Sequence, residues 1–184
     1  MTFQTFKTRV LTIALIVMAS LSIQAQETGL ASQNDQNSMQ ALIGQSLSKV
    51  QESAPVTFLN CIAEMKRIDA MFPDSVQPKH AMALQSLYFA VLNPHAEQTE
   101  NLLAETEKTI SQLEKMKGAD PSDVCTLRGF FYMVRIVQDP AKNGQRYYLE
   151  VMQNYEKALK LNPENILAKQ LQDKFFEGMR QMGQ

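Results

Sequence analysis

Residues 151–168 read VMQNYEKALKLNPENILA, and this stretch decides the fold class. One helix runs out at Leu161, the chain turns at Asn162-Pro163, and a second helix opens. Proline has no amide hydrogen to continue the first helix, and its ring clashes with the preceding turn. The same residue suits the first turn of the next helix. Ala158 is small where two helices would approach closely, and Tyr155 and Leu159 are large enough to pack between neighbours.

Composition agrees with helices. The chain has 184 residues, no Trp, and only seven Gly and seven Pro. Leu, Met, Ala and other good helix formers dominate the apolar set. No run of Val, Ile and Thr alternates with polar residues over a strand's length, so no sheet is expected.

The first 25 residues have the plan of a secretory signal peptide. Lys7 and Arg9 precede an apolar run, Val10 to Ala19, interrupted only by Thr12, and Ser22-Ile23-Gln24-Ala25 offers a cleavage end after Ala25. The run is shorter than the ~20 apolar residues that span a bilayer, which favours cleavage over an anchor. Export to the periplasm, with no membrane span after cleavage, is the expectation. Losing Lys7 and Arg9 leaves 16 basic against 19 acidic residues, a net charge of −3. That balance, with no Lys/Arg run, excludes a phosphate-neutralising surface, so no nucleic acid is expected as a partner.

Gln26–Asn37 is rich in Gln, Asn and Ser and reads as a flexible linker. The remainder, 38–184, reads as one helical domain. Met39, Leu42, Ile43, Leu47 and Val50 form an apolar stripe over about Ser38–Ser53. Further helices are expected over Pro55–Phe72, Pro78–Leu92, Ala96–Lys117, Pro121–Val137, Gln145–Leu161 and Pro163–Met182. Asp120 is placed to cap the helix that Pro121 opens. Asp139–Gly144, reading DPAKNG, is expected as a loop.

Helix pairs of about 34 residues are the signature of a tetratricopeptide array. Tyr155, Ala158, Leu159, Leu161, Asn162, Pro163, Asn165 and Ala168 resemble the second half of such a repeat and the start of the next. Gly129 and Tyr132 resemble the small and aromatic positions of a first helix. With the leader, Asp139-Pro140, Gly144 and Leu161–Asn165, the chain resembles exported tetratricopeptide proteins common in Bacteroidota over roughly residues 50–184. The resemblance implies an all-α, right-handed superhelix of about two and a half to three helix pairs. It also implies that first helices line a concave groove for a protein or peptide. By that register His80, Ala83, Leu87, Asp123, Thr126, Phe130, Gln170 and Lys174 would line it.

Chemistry leaves little trace. His80 and His95 lie at opposite ends of one expected helix, about 20 Å apart, too far to share a metal. Cys61 and Cys125 form no CxxC pair. They suit either one disulfide or two buried thiols, and the helical register favours the second. Met65, Met71, Met82, Met116, Met133 and Met152 fall on apolar stripes and suit a core. No phosphate loop, nucleophile motif or metal motif is present. The expectation is a non-enzymatic binding or scaffold protein without cofactor. The alternative is a structural protein whose apolar faces complete a homodimer.

Overall fold

The structure, a computed structural model, describes residues 30–182. The leader read at 1–25 and the start of the linker lie outside the described residues. Within them the chain is all helix: α1 (Leu30–Leu47), α2 (Pro55–Met71), α3 (Val76–Leu92), α4 (Thr99–Leu113), α5 (Pro121–Gln138), α6 (Pro140–Leu161) and α7 (Ile166–Met182). Each helix packs on the next, and α3 also meets α5, as α5 meets α7. Helices α4 and α6 make no comparable contact with each other. The helices α3, α5 and α7 therefore form one contiguous row, with α4 and α6 laid against it.

The main core runs through α2 to α7 and includes Phe58, Leu87, Leu103, Leu127, Phe130 and Leu171. A smaller cluster of Met39, Ile43, Leu47, Cys61, Met65, Ile68 and Ala81 fastens α1 to α2 and to the start of α3. Helix α3 is buried almost all round, as its lack of a polar stripe implies.

The most extensive helix contact is α5 against α6, and one glycine makes it possible. A Cβ added at Gly129 would stand 2.8 Å from Tyr155 Cε1 and 2.9 Å from Cδ1. The Tyr155 ring is fully buried and occupies the space a side chain at 129 would need. One turn on, Ala158 is also fully buried, in a satellite cluster with Cys125 and Ala168. The small-residue reading of the 151–168 joint thus has a geometric basis.

Several boundaries differ from expectation. Helix α1 begins at Leu30, inside the stretch read as linker, but the side chains of 33–38 are all exposed and burial starts at Met39. Composition located the packing, not the helix end. Helix α4 is shorter than its apolar stripe suggested and gives way to turns that end at Gly118, whose φ of +99° favours glycine.

The expected loop at 139–144 is helix. Asp139 is the whole joint between α5 and α6. Its carboxylate accepts a hydrogen bond from Lys142 N at 3.1 Å, and Pro140 occupies the first helical position. Asp139-Pro140 is therefore the same helix start as Asp120-Pro121, where Asp120 Oδ1 accepts from Ser122 N at 2.7 Å. Gly144 is simply tolerated inside α6, with nothing within 4 Å of a Cβ there.

Helix α7 buries Leu167, Ala168, Leu171 and Phe175 along one face. Met65 and Met133 are core residues, and Met82, Met116 and Met152 pack at its edge. Met71 is the exception, 62% exposed at the last residue of α2, beyond the reach of its neighbours. Cys61 and Cys125 are both free and buried, and burial pushes both thiols above their usual range.

Replacing Gly129 by Ala should destabilise the fold by about 1–3 kcal/mol through overpacking. In a Tyr155→Leu background the same change should cost less, because the clashing ring is gone. Thermal melts of the four proteins in that cycle test the pair; equal costs in both backgrounds would refute it.

Candidate functional site

Three helices carry the eight residues singled out from the sequence. His80, Ala83 and Leu87 stand on α3, Asp123, Thr126 and Phe130 on α5, and Gln170 and Lys174 on α7. These are the helices of the contiguous row. The eight do not share one environment, however. Leu87, Thr126 and Phe130 are 0% exposed and Ala83 1%, so they present no surface. They belong to the packing: Phe130 meets the Tyr88 ring edge-on at 5.3 Å. Thr126 donates its hydroxyl to Ser122 O at 2.8 Å. His80, Asp123, Gln170 and Lys174 are half-buried and form the reachable part. Sequence periodicity could not separate the two sets, because the face a helix turns to its neighbour in a row adjoins the face it turns to solvent.

A residue missing from that reading organises the site. Asn165 precedes α7 and caps it, its Oδ1 accepting from Ala168 N at 2.9 Å. Its Nδ2 donates to Ser122 Oγ at 2.9 Å and Asp123 Oδ1 at 2.9 Å, with Thr126 Oγ1 at 3.4 Å. Ser122 Oγ in turn donates to Ala158 O at 2.8 Å, in the last turn of α6. One buried amide therefore joins the starts of α5 and α7 and, through Ser122, the end of α6. An Asn placed three residues before Ala168, just ahead of an apolar helix, is a readable cap signal. Nothing in the sequence marks Ser122.

His80 stands within electrostatic reach of Asp123 and Asp120. Burial pushes its pKa below the usual histidine range, and the two acids only partly oppose that. Burial pushes the Asp123 carboxyl up, against the opposing pull of His80 and Asn165. His80 Nε2 is buried without a hydrogen-bond partner, as are Gln170 Oε1 on α7 and the Tyr88 hydroxyl on α3. Glu52 Oε1, from the α1–α2 joint near Tyr88, shares that condition. Each such atom costs free energy that a bonding partner would return.

A concavity lies between α4 and α6, floored by α5. It has a volume of about 540 Å³. Arg135 Nη1 contacts both Glu100 oxygens, at 3.0 and 2.8 Å, and Gln138 Nε2 joins Glu100 at 2.7 Å. The Arg135 and Gln138 hydrogen bonds hold the Glu100 carboxyl below its usual range. Tyr132 and Tyr147 stack with centroids 5.3 Å apart, and the Arg146 guanidinium sits 4.9 Å from the Tyr147 centroid.

Among the described residues no group of three or more His, Cys, Asp or Glu could hold a metal ion. No described helix is long and apolar enough to cross a membrane. No family model, curated protein or solved structure matches the chain.

A histidine held neutral by burial makes stability pH-dependent. With the folded pKa below the unfolded value of about 6.5, the unfolded state binds the extra proton first as pH falls. Stability should therefore fall from pH 7.5 to 5.5. Asp123 acts oppositely, because burial raises its carboxyl and the folded state then takes up that proton first as pH falls. His80→Gln should flatten the Tm profile between pH 7.5 and 5.5. An unchanged slope in that variant would remove His80 as the source.

Proposed function

We propose that this chain is an exported, non-enzymatic binding module whose α3–α5–α7 row receives an extended segment of a partner polypeptide. The observation that carries the reading is the pair of half-buried side chains on the row with unpartnered polar atoms, His80 Nε2 on α3 and Gln170 Oε1 on α7. A polypeptide in extended form brings alternating N–H and C=O groups that satisfy such atoms, while its side chains settle between helices. Lys174 and Asp123 add charge of both signs beside them.

The architecture in this reading is a right-handed tetratricopeptide-like superhelix. Short turns between helices of similar length, and the contacts of α3 with α5 and of α5 with α7, support it. The leader-like plan of residues 1–25 supports export to the periplasm.

One observation favours a second reading, self-association into a homodimer. Leu161 and Ile166, 51% and 50% exposed, flank the Asn162-Pro163 turn, and Leu149 and Phe176 add apolar surface on α6 and α7. Light scattering at micromolar concentration separates the two: a monomer favours the open row, and a dimer lost on Leu161→Ser with Ile166→Ser favours self-association.

The structure also selects the variant that tests the row. Thr126 is buried and bonded within the Asn165 network, so changing it would perturb the fold. Gln170→Ala with Lys174→Glu alters reachable atoms. Capture from periplasmic extract should lose its partner with this double variant and keep it with Lys108→Glu, on exposed α4. A partner retained equally by both would sink the row as the binding face.

A further inference from the structure

We propose that the cleft between α4 and α6 binds a small zwitterion, a free amino acid or short peptide, through opposite charges on its two walls. The floor of the cleft is already satisfied, because Arg135, Gln138 and Glu100 bond one another and Asn143 Nδ2 donates to Arg135 O at 2.7 Å. The walls are not. On the α6 side Lys142 and Arg146, one helical turn apart, line the cleft with Asp139, whose carboxylate already accepts from Lys142 N. Neither cation makes an ion pair among the described residues. On the α4 side Glu107 lines it and likewise makes none.

Of the seven ion pairs on the described residues one, Arg135–Glu100, lies in the cleft floor and six lie elsewhere, yet the facing wall charges do not meet. Glu107 pairs with neither Lys142 nor Arg146, and a ligand that carries both signs meets both walls. A carboxylate directed to Lys142 and Arg146 receives hydrogen bonds from both cations, with the positive end of the α6 dipole behind them. A protonated amine at the other end meets Glu107. The volume of about 540 Å³ falls within the range of small-ligand sites and has room for a few residues of peptide. The stacked Tyr132–Tyr147 pair gives the backbone or a short side chain a flat surface to lie on.

The site is separate from the α3–α5–α7 face, so its failure would leave the proposed function standing. The test is titration of the full chain with triglycine, N-acetyl-triglycine, triglycine amide and glycine, followed by backbone amide NMR shifts. Triglycine should move the amides of residues 107, 132 and 142–147, and each blocked form should bind at least about threefold more weakly, the scale of an exposed ion pair. Glu107→Gln should erase the difference between triglycine and its acetylated form. Lys142→Gln with Arg146→Gln should erase the difference between triglycine and its amide, and unchanged melting curves show that the variants remain folded. Glycine binding as tightly as triglycine assigns the site to free amino acids, and weaker glycine binding assigns it to peptides; either supports the zwitterion. Blocked peptides binding as well as triglycine, or no localised shifts at about 10 mM of any probe, would overturn the proposal.

Discussion

The side-chain amide of Asn165 is the interaction on which the row depends. Its oxygen accepts from Ala168 N at the start of α7, and its nitrogen reaches across to α5. A helix start leaves amide hydrogens without partners, and an Asn cap is the ordinary solution. Here the cap is shared, because the NH₂ group left over is buried and must also be bonded. It finds Ser122 and Asp123, both in the first turn of α5. The helix starts are thus held together at one end of the row by atoms that each had to be satisfied anyway.

The other constraint acts along the helices instead of at their ends. Gly129 lets α5 and α6 close on the Tyr155 ring, and Ala158 keeps the next turn tight. Once α6 is seated there, its last turn presents Ala158 O to Ser122, and the Asn162-Pro163 turn delivers Asn165 to the same place. Packing at Tyr155 and polar bonding at Asn165 therefore reinforce each other across ten residues of sequence. Their joint result is that α3, α5 and α7 stand side by side and leave polar atoms of His80, Tyr88 and Gln170 without partners.

Much of this was legible in the sequence because it was local. Proline positions, the Asp120 cap and the apolar stripes placed seven helices, and the small Ala158 marked a close approach without saying which helices meet there. The failures were also local in cause. DPAKNG has the composition of a loop, yet its first two residues are a cap and a helix-opening proline, and the glycine that suggested flexibility makes no conformational demand. The eight residues expected to line a groove stand on three helices of one row, but Ala83, Leu87, Thr126 and Phe130 are buried in the seams between helices. Phe130 meets Tyr88 and Thr126 lies by Asn165, partners distant in sequence that periodicity within one helix does not encode. The cleft between α4 and α6 was invisible for the same reason: Glu107 and Arg146 look like ordinary solvated charges until the fold sets them on facing walls.

Hydrogen exchange on Asn165→Ala tests the organising role of this amide most directly. Loss of the cap and of its bonds to α5 should release α7 locally, since exchange reports opening of individual cooperative units. A cap is worth about 1 kcal/mol, so the amides of residues 167–178 should exchange roughly fivefold faster or more, while α3 and α4 keep their protection. Unchanged protection in α7, or an equal fall across all seven helices, would contradict the claim that Asn165 holds the last helix to the row.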